Sequence, residues 1–469
     1  MSNSPASQVK RYMRLSPSNG SGDFSFTNGN PIIRFSVADT AAFLMGKNMR
    51  FCGNVKLFRD TATQPAFNAG ANIDRIAGFQ SMIQSVSIGS RRYSANVLEV
   101  VHNYPRLASQ LYANTHSPKG MRTQTFNEHG AVGKGRYNKN HMGTFGDGAN
   151  LNATDRVLES ARKGTIVGGA GAGQLGVKGF DFALRLNTGL LMNEAIPLNL
   201  LGGLEITINL APNFGSMYGN DVTANCSYTI SKPYLMCPLL YMSDADVAQY
   251  NSQAQGTFSF MSYQSLYSVL NSTDQSIVHR LNSRNLQSVL QSYVPVKYLN
   301  NTKYNQMAMW DGGAVNSVAY MKDGVRYPLE YNISVRGTNG EGTNEGEDLQ
   351  KVSLTPQVLW NSQTAIKSVK DIHRSQIIPE NLLGQAKQDG VWGTGLSWDL
   401  VSGAGINVQG TLTYDLKSKL EDPENRDIDT GAGGTVNPNH TLTTPYAQYS
   451  YYLSRANLMI NKGQGIMVM

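Results

Sequence analysis

The sequence predicts an all-β protein built as two tandem β-sandwiches, and three observations carry that prediction. Charged residues make up only 16 % of the 469-residue chain, while Gly (47) and Tyr (23) are abundant. That composition suits many strands joined by polar turns and suits helices poorly. In segment after segment, apolar residues alternate with polar ones at a period of two, which puts each apolar set on one face of a half-buried strand. These segments fall into two blocks, separated by the polar stretch Asp244–Gly256 (DADVAQYNSQAQG).

The elements follow in order. Residues 1–23 are polar and basic, with Lys10, Arg11 and Arg14 and no acid before Asp23. They read as an arm outside the first core, and they lack the apolar region of a signal peptide. The first block spans 24–242. Its clearest strands are Phe180–Asn187 and Leu204–Leu210, where Leu204, Ile206, Ile208 and Leu210 alternate with Glu205, Thr207 and Asn209. Further strands are expected at Ile32–Val37, Asn48–Phe58, Met82–Ile88 and Tyr228–Tyr241. One helix is expected after Ser94, with Val97, Leu98 and Val101 on one face and a stop before Pro105.

Residues 114–178 are rich in Gly and Asn and carry more Lys and Arg than Asp and Glu. They read as an insertion between strands. A linker is expected over 243–257, and the second block runs from 258 to 469. Its strand signals are Phe258–Tyr263, Leu329–Val335, Ile406–Tyr414, Ala447–Leu453, Leu458–Ile460 and Ile466–Val468. Asp323-Gly324 marks a tight hairpin turn. Gly337–Asp348 (GTNGEGTNEGED) reads as an exposed acidic loop. Two short echoes agree with two similar halves. Gln80–Ser85 (QSMIQS) resembles Gln287–Ser292 (QSVLQS), and Phe24-Ser25-Phe26 resembles Phe258-Ser259-Phe260.

The chemistry that the sequence offers is sparse. Gly171–Gly176 (GAGQLG) fits G-x-G-x-x-G, but a strand follows it where a phosphate-binding helix would have to stand. The seven histidines (His102, His116, His129, His141, His279, His373 and His440) show no metal-site spacing. Cys52, Cys226 and Cys237 match no zinc or redox motif and read as reduced thiols of a protein folded inside a cell. No run of 18 apolar residues marks a membrane span. A net charge of +7 is too weak for a dedicated nucleic-acid reader. The reading is therefore of a protein that is not an enzyme, needs no cofactor and binds no metal.

Four stretches carry a family resemblance. They are Ile83–Ser90 (IQSVSIGS) leading to Leu98-Glu99 and Asn103-Tyr104-Pro105; Phe182–Leu191 (FALRLNTGLL) with Ile196-Pro197-Leu198 and Gly203–Leu210; Tyr327–Val335 (YPLEYNISV); and Trp398–Gly405 (WDLVSGAG) through the closing strands. In this order they resemble the double jelly-roll major capsid proteins of double-stranded DNA viruses, most of all those of polinton-like viruses and virophages. The resemblance implies two eight-stranded jelly rolls and a homotrimer that forms a pseudo-hexameric capsomer. It also implies neighbouring capsomers that tile an icosahedral shell, with penton and minor capsid proteins as further partners. The protein would then be made in the host-cell interior and reside in the virion. Lys10, Arg11 and Arg14 would lie on the inner face, in weak contact with genome or an internal membrane. Two other classes fit a β-sandwich chain, namely a carbohydrate- or receptor-binding module and a cupin-type enzyme.

Overall fold

The computed structural model describes residues 9–27, 29–58, 72–73, 77–92, 97–115, 180–212, 217–218, 227–254, 256–271, 274–296, 299, 315–327, 394–398, 405–418, 445–461 and 464–468. Of the insertion expected at 114–178, residues 114–115 close the helix Tyr104–Thr115, and 116–178 lie outside the described residues, as do the glycine run 171–176, the acidic loop 337–348, the strand 329–335, Cys226, His116, His129, His141, His373 and His440.

The N-terminal half contributes β1 (Val9–Leu15), β2 (Ile32–Val37), β3 (Ala42–Leu44), β4 (Arg50–Phe58), β5 (Asn72–Ile73), β6 (Ile83–Ser90), β7 (Val97–His102), helix α1 (Tyr104–Thr115), β8 (Phe180–Leu184), β9 (Ile196–Pro197), helix α2 (Leu198–Leu201), β10 (Leu204–Leu210), β11 (Met217–Tyr218) and β12 (Ser227–Tyr241). Helix α3 (Asp244–Ala254) joins the halves. The C-terminal half contributes β13 (Thr257–Leu270), β14 (Asp274–Pro295), β15 (Val315–Lys322), β16 (Val325–Tyr327), β17 (Thr394–Ser397), β18 (Ile406–Ser418), β19 (Tyr446–Asn461) and β20 (Gln464–Val468).

In the N-terminal half, a sheet ordered β8-β4-β12-β3-β9, with β1 added on β12, faces the run β7-β6-β10-β2. Inward residues of both layers are buried: Phe51, Val55, Phe182 and Ile230 from the first, Phe35, Val86, Ile206 and Ile208 from the second. Phe35 and Phe51 meet edge to face across the layers, with ring centroids 6.0 Å apart. The Tyr228 hydroxyl also crosses, donating to the Ala211 carbonyl at 2.5 Å. Strand β10 shows the expected alternation, with Leu204, Ile206, Ile208 and Leu210 buried and Glu205 exposed. In β12, Lys232 adopts φ 49° beside Pro233, and the register with β4 shifts there as a bulge.

The second layer does not stop at the N-terminal half. Strand β7 meets β13 in parallel, Val100 opposite Gln264, and the sheet continues β13-β19-β14-β18-β15-β16. One sheet thus spans both halves, and the expected linker is a helix whose Tyr250 packs edge to face on Phe43 at 5.0 Å. The Asp323-Gly324 turn closes β15 onto β16 with Lys322 opposite Val325. Both turn residues have positive φ, 51° and 78°, as the twist of a two-residue hairpin requires.

Two expectations need correction. The helix expected over Val97–Val101 is strand β7, paired with β6 from Ser85↔His102 to Gly89↔Val97. The apolar spacing of VLEVVH fits either period over so few residues, and its β-branched valines favour the strand. The helix begins where it was expected to stop: Asn103 turns the chain at φ 49°, and Pro105 sits in the first turn of α1, where its missing N–H is harmless. The sequence echoes do not mark equivalent positions either. Gln80–Met82 form a 3-10 turn, whereas Gln287–Ser292 lie inside β14.

Candidate assembly site

The arm expected outside the core is partly built into it. Strand β1 pairs antiparallel with β12 from Val9↔Tyr241 to Leu15↔Leu235. Arg11, Met13 and Leu15 stand opposite Leu239, Cys237 and Leu235, and Met13 and Leu15 pack on the core. Three cations masked this two-residue period in the sequence. The arginines are held by aromatic faces: the Arg14 guanidinium lies 4.0 Å from the Tyr234 ring centroid and that of Arg11 5.4 Å from Tyr241. Lys10 is exposed on the same strand as Tyr12, which is 72 % exposed. Among the described residues β1 has a partner strand on one side only, and its cations discourage indiscriminate pairing along the open edge.

Past β1 the chain crosses to the other layer and closes its margin. The Ser18 amide donates to the Arg34 carbonyl at 2.7 Å. The Asn19 side chain donates to the Ile32 carbonyl at 2.7 Å and accepts from the Arg34 amide at 2.9 Å. A side-chain amide thus imitates a strand's backbone beside β2.

The second feature is the seam between the halves. Glu99, on β7, is buried. Its Oε1 accepts the amides of Gly189 and Tyr263, and its Oε2 that of Leu190, each at 2.8 Å. Gly189 and Leu190 belong to the N-terminal half and Tyr263 to β13 of the C-terminal half, so one carboxyl holds backbone from both. Burial raises its pKa to about 7, against the lowering effect of the three amides and the Thr188 hydroxyl. Around it, the Tyr451 hydroxyl donates to the Asn103 carbonyl at 2.7 Å. The His102 amide donates to the Ser265 hydroxyl at 3.2 Å, and the Arg106 guanidinium lies 4.4 Å from the centre of the Tyr449 ring. Gly189 touches β13 so closely that a Cβ there would stand 2.6 Å from the Met261 carbonyl oxygen.

Of the candidate metal ligands, His279 is the informative one. It is buried in the C-terminal half, its Nδ1 bonded to the Tyr452 hydroxyl and its Nε2 3.2 Å from Ser268 Oγ. Burial lowers its pKa to about 4. Cys52 and Cys237 are buried thiols, and burial pushes Cys237 up to about 12, far from the reactive range. Among the described residues no group of three or more His, Cys, Asp or Glu could hold a metal, and no helix is long and apolar enough to cross a membrane. The sequence reading missed the seam entirely. Its only local signal is a lone acid among the apolar residues of VLEVVH.

This architecture, two sandwiches joined through one sheet, is a double jelly roll. Solved structures share it from end to end. The Faustovirus major capsid protein aligns with a TM-score of 0.56 at 9 % identity, covering 98 % of this chain and 92 % of that one. A protein of the Sputnik virophage solved by cryo-EM aligns with a TM-score of 0.55 at 10 % identity, covering 100 % and 89 %. A chain of the PBCV-1 virus capsid aligns with a TM-score of 0.51 at 11 % identity, covering 100 % and 98 %. No protein-family model matches the sequence, and no curated protein matches it. The likeness is thus one of fold.

Proposed function

We propose that this chain is a major capsid protein, a structural subunit that self-assembles as pseudo-hexameric trimers into an icosahedral virion shell and carries out no catalysis. The observation that carries the reading is the end-to-end match of its double jelly roll to viral capsid proteins, with the Faustovirus protein covered over 92 % of its own length. Three copies would set six sandwiches in a ring, and a sheet continuous through both sandwiches gives each subunit a stiff frame for such a ring. The domain boundary falls at α3, with the first jelly roll before it and the second after it. Neighbouring capsomers, penton proteins and minor capsid proteins are the partners, and the virion is the location. Lys10 and Arg14, which share the outer face of β1, would face an anionic lining, genome or internal membrane, on the inner side of the shell, with Arg11 exposed on the same strand.

The test is mass and shape. Purified protein should sediment near three times 51.1 kDa and give hexagonal capsomers and particles in electron micrographs; a stable monomer at micromolar concentration overturns the reading. In the same micrographs, the variant with Lys10→Gln and Arg14→Gln should give trimers but poorly ordered shells. Normal shells from it would reject the role of the arm.

A further inference from the structure

We propose that Glu99 is the latch that holds the two jelly rolls at a fixed angle, and that proton uptake or release at its carboxyl sets how readily the seam between them opens. This rests on the fold and holds whether or not the protein builds a shell.

The geometry is that of a shared acceptor. Two of the three amides on Glu99, from Gly189 and Leu190, begin the 3-10 turn Leu190–Met192, and the third, from Tyr263, belongs to β13. Opening the seam strips the Tyr263 amide from the carboxyl and lets water reach it. Gly189 is an independent witness to the tightness of the joint. Its φ of −60° suits any residue. Only the abutting Met261 and Ser262 backbone of β13, 2.6–2.9 Å from where a methyl carbon would stand, demands glycine there.

The charge setting leaves Glu99 alone in controlling this point. Strand β6 (IQSVSIGS) and the turn at 186–193 (LNTGLLMN) carry no ionisable side chain. Beside that turn stand Arg185 and Tyr104, whose hydroxyl accepts the Asn187 amide at 2.7 Å. Strand β13 brings Tyr263. Strand β7 itself adds only His102, exposed at its far end, and α1 adds Arg106, stacked on Tyr449. Closing the seam costs more when the carboxyl is charged, because its desolvation outweighs the three amide bonds. In the closed seam the carboxyl releases its proton near pH 7; in water it does so near 4.5. The closed form is therefore fully favoured below about pH 4.5. It is progressively less favoured as pH rises to 7, and constant above that.

Hydrogen exchange of the full-length wild-type protein tests this directly. Protection of the Gly189, Leu190 and Tyr263 amides, corrected for intrinsic exchange, should fall together between pH 4.5 and 7, by on the order of a hundredfold. Glu99→Gln, which cannot ionise, should flatten that profile, whereas His102→Gln should leave it in place. Gly189→Ala should lower protection of all three amides at every pH by forcing the seam apart. A flat wild-type profile, an unchanged slope in Glu99→Gln, or loss of the slope in His102→Gln would each overturn the proposal.

Discussion

The N-terminal core and the described part of the C-terminal core are built from different materials. The first is largely aliphatic, with Phe35, Phe51 and Phe182 among Ile33, Val86, Ile88, Ile206 and Ile208. The second is crowded with amphipathic rings: Trp398, Tyr320, Tyr414, Tyr446 and Tyr452 are all buried. There Tyr320 packs on Trp398 and Tyr414 with centroids 5.4 and 5.3 Å away. Its hydroxyl donates to Gln291 at 2.8 Å, and Gln291 donates on to Ser450 at 3.0 Å. An aliphatic core asks mainly for volume and patterning. A tyrosine core asks in addition that every buried hydroxyl and amide find a partner, which makes it specific and intolerant of partial change.

The largest difference between the two cores is expected at Trp398. Trp398→Ala should destabilise the protein by about 3–5 kcal/mol, whereas Ile206→Val in the aliphatic core should cost only about 0.5–1.5 kcal/mol. Circular dichroism across a denaturant titration measures both. A single transition that moves with Trp398→Ala would show that the seam couples the halves, and two transitions of which one moves would show that it does not. A smaller loss at Trp398 than at Ile206 would refute the contrast between the cores.

The two halves also differ in how their stability responds to pH. His279 has its pKa lowered to about 4 from an ordinary 6.5, so as pH falls through that window the unfolded chain takes up the proton first. The C-terminal half should therefore lose stability as pH falls from 6.5 to 4, by up to about 3 kcal/mol at one pKa unit per 1.4 kcal/mol. Glu99 acts in the opposite direction over an overlapping range, so the wild-type profile is a difference of two slopes. His279→Gln should unmask the Glu99 slope, with stability rising as pH falls from 7 to 4.5; a variant that keeps the acid loss in that range would place its cause elsewhere.

What the sequence disclosed follows the same physics. Strand β10 and the Asp323-Gly324 hairpin were legible because periodicity and turn chemistry are local. Strand β1 was not, because Lys10, Arg11 and Arg14 hide an alternation that only the ladder with β12 reveals. The 22-residue strand β14 was seen only as a short echo at 287–292. The Glu99 seam was beyond reach, since its amide partners lie 90 to 164 residues away along the chain. Nothing local distinguishes a buried acceptor from a solvated acid in a strand.

The smallest expected effect lies at the margin of the N-terminal sandwich, where chain, not side-chain burial, closes the layers. Asn19 both donates to Ile32 and accepts from Arg34, as a neighbouring strand would. These bonds are exposed, so water competes for each partner and the net worth of a bond sits near the low end of about 0.5–1.5 kcal/mol. Asn19→Ala should therefore lower global stability by about 1 kcal/mol or less. The local signature should be clearer than the global one. The Arg34 amide, left with water as its acceptor, should exchange faster in Asn19→Ala. It should stay protected in Asn19→Asp, whose carboxylate can still accept it but cannot donate to Ile32. Equal exchange at Arg34 in all three proteins would mean that the Ser18 backbone bond alone closes this edge and that the side-chain mimicry of a strand contributes nothing to it.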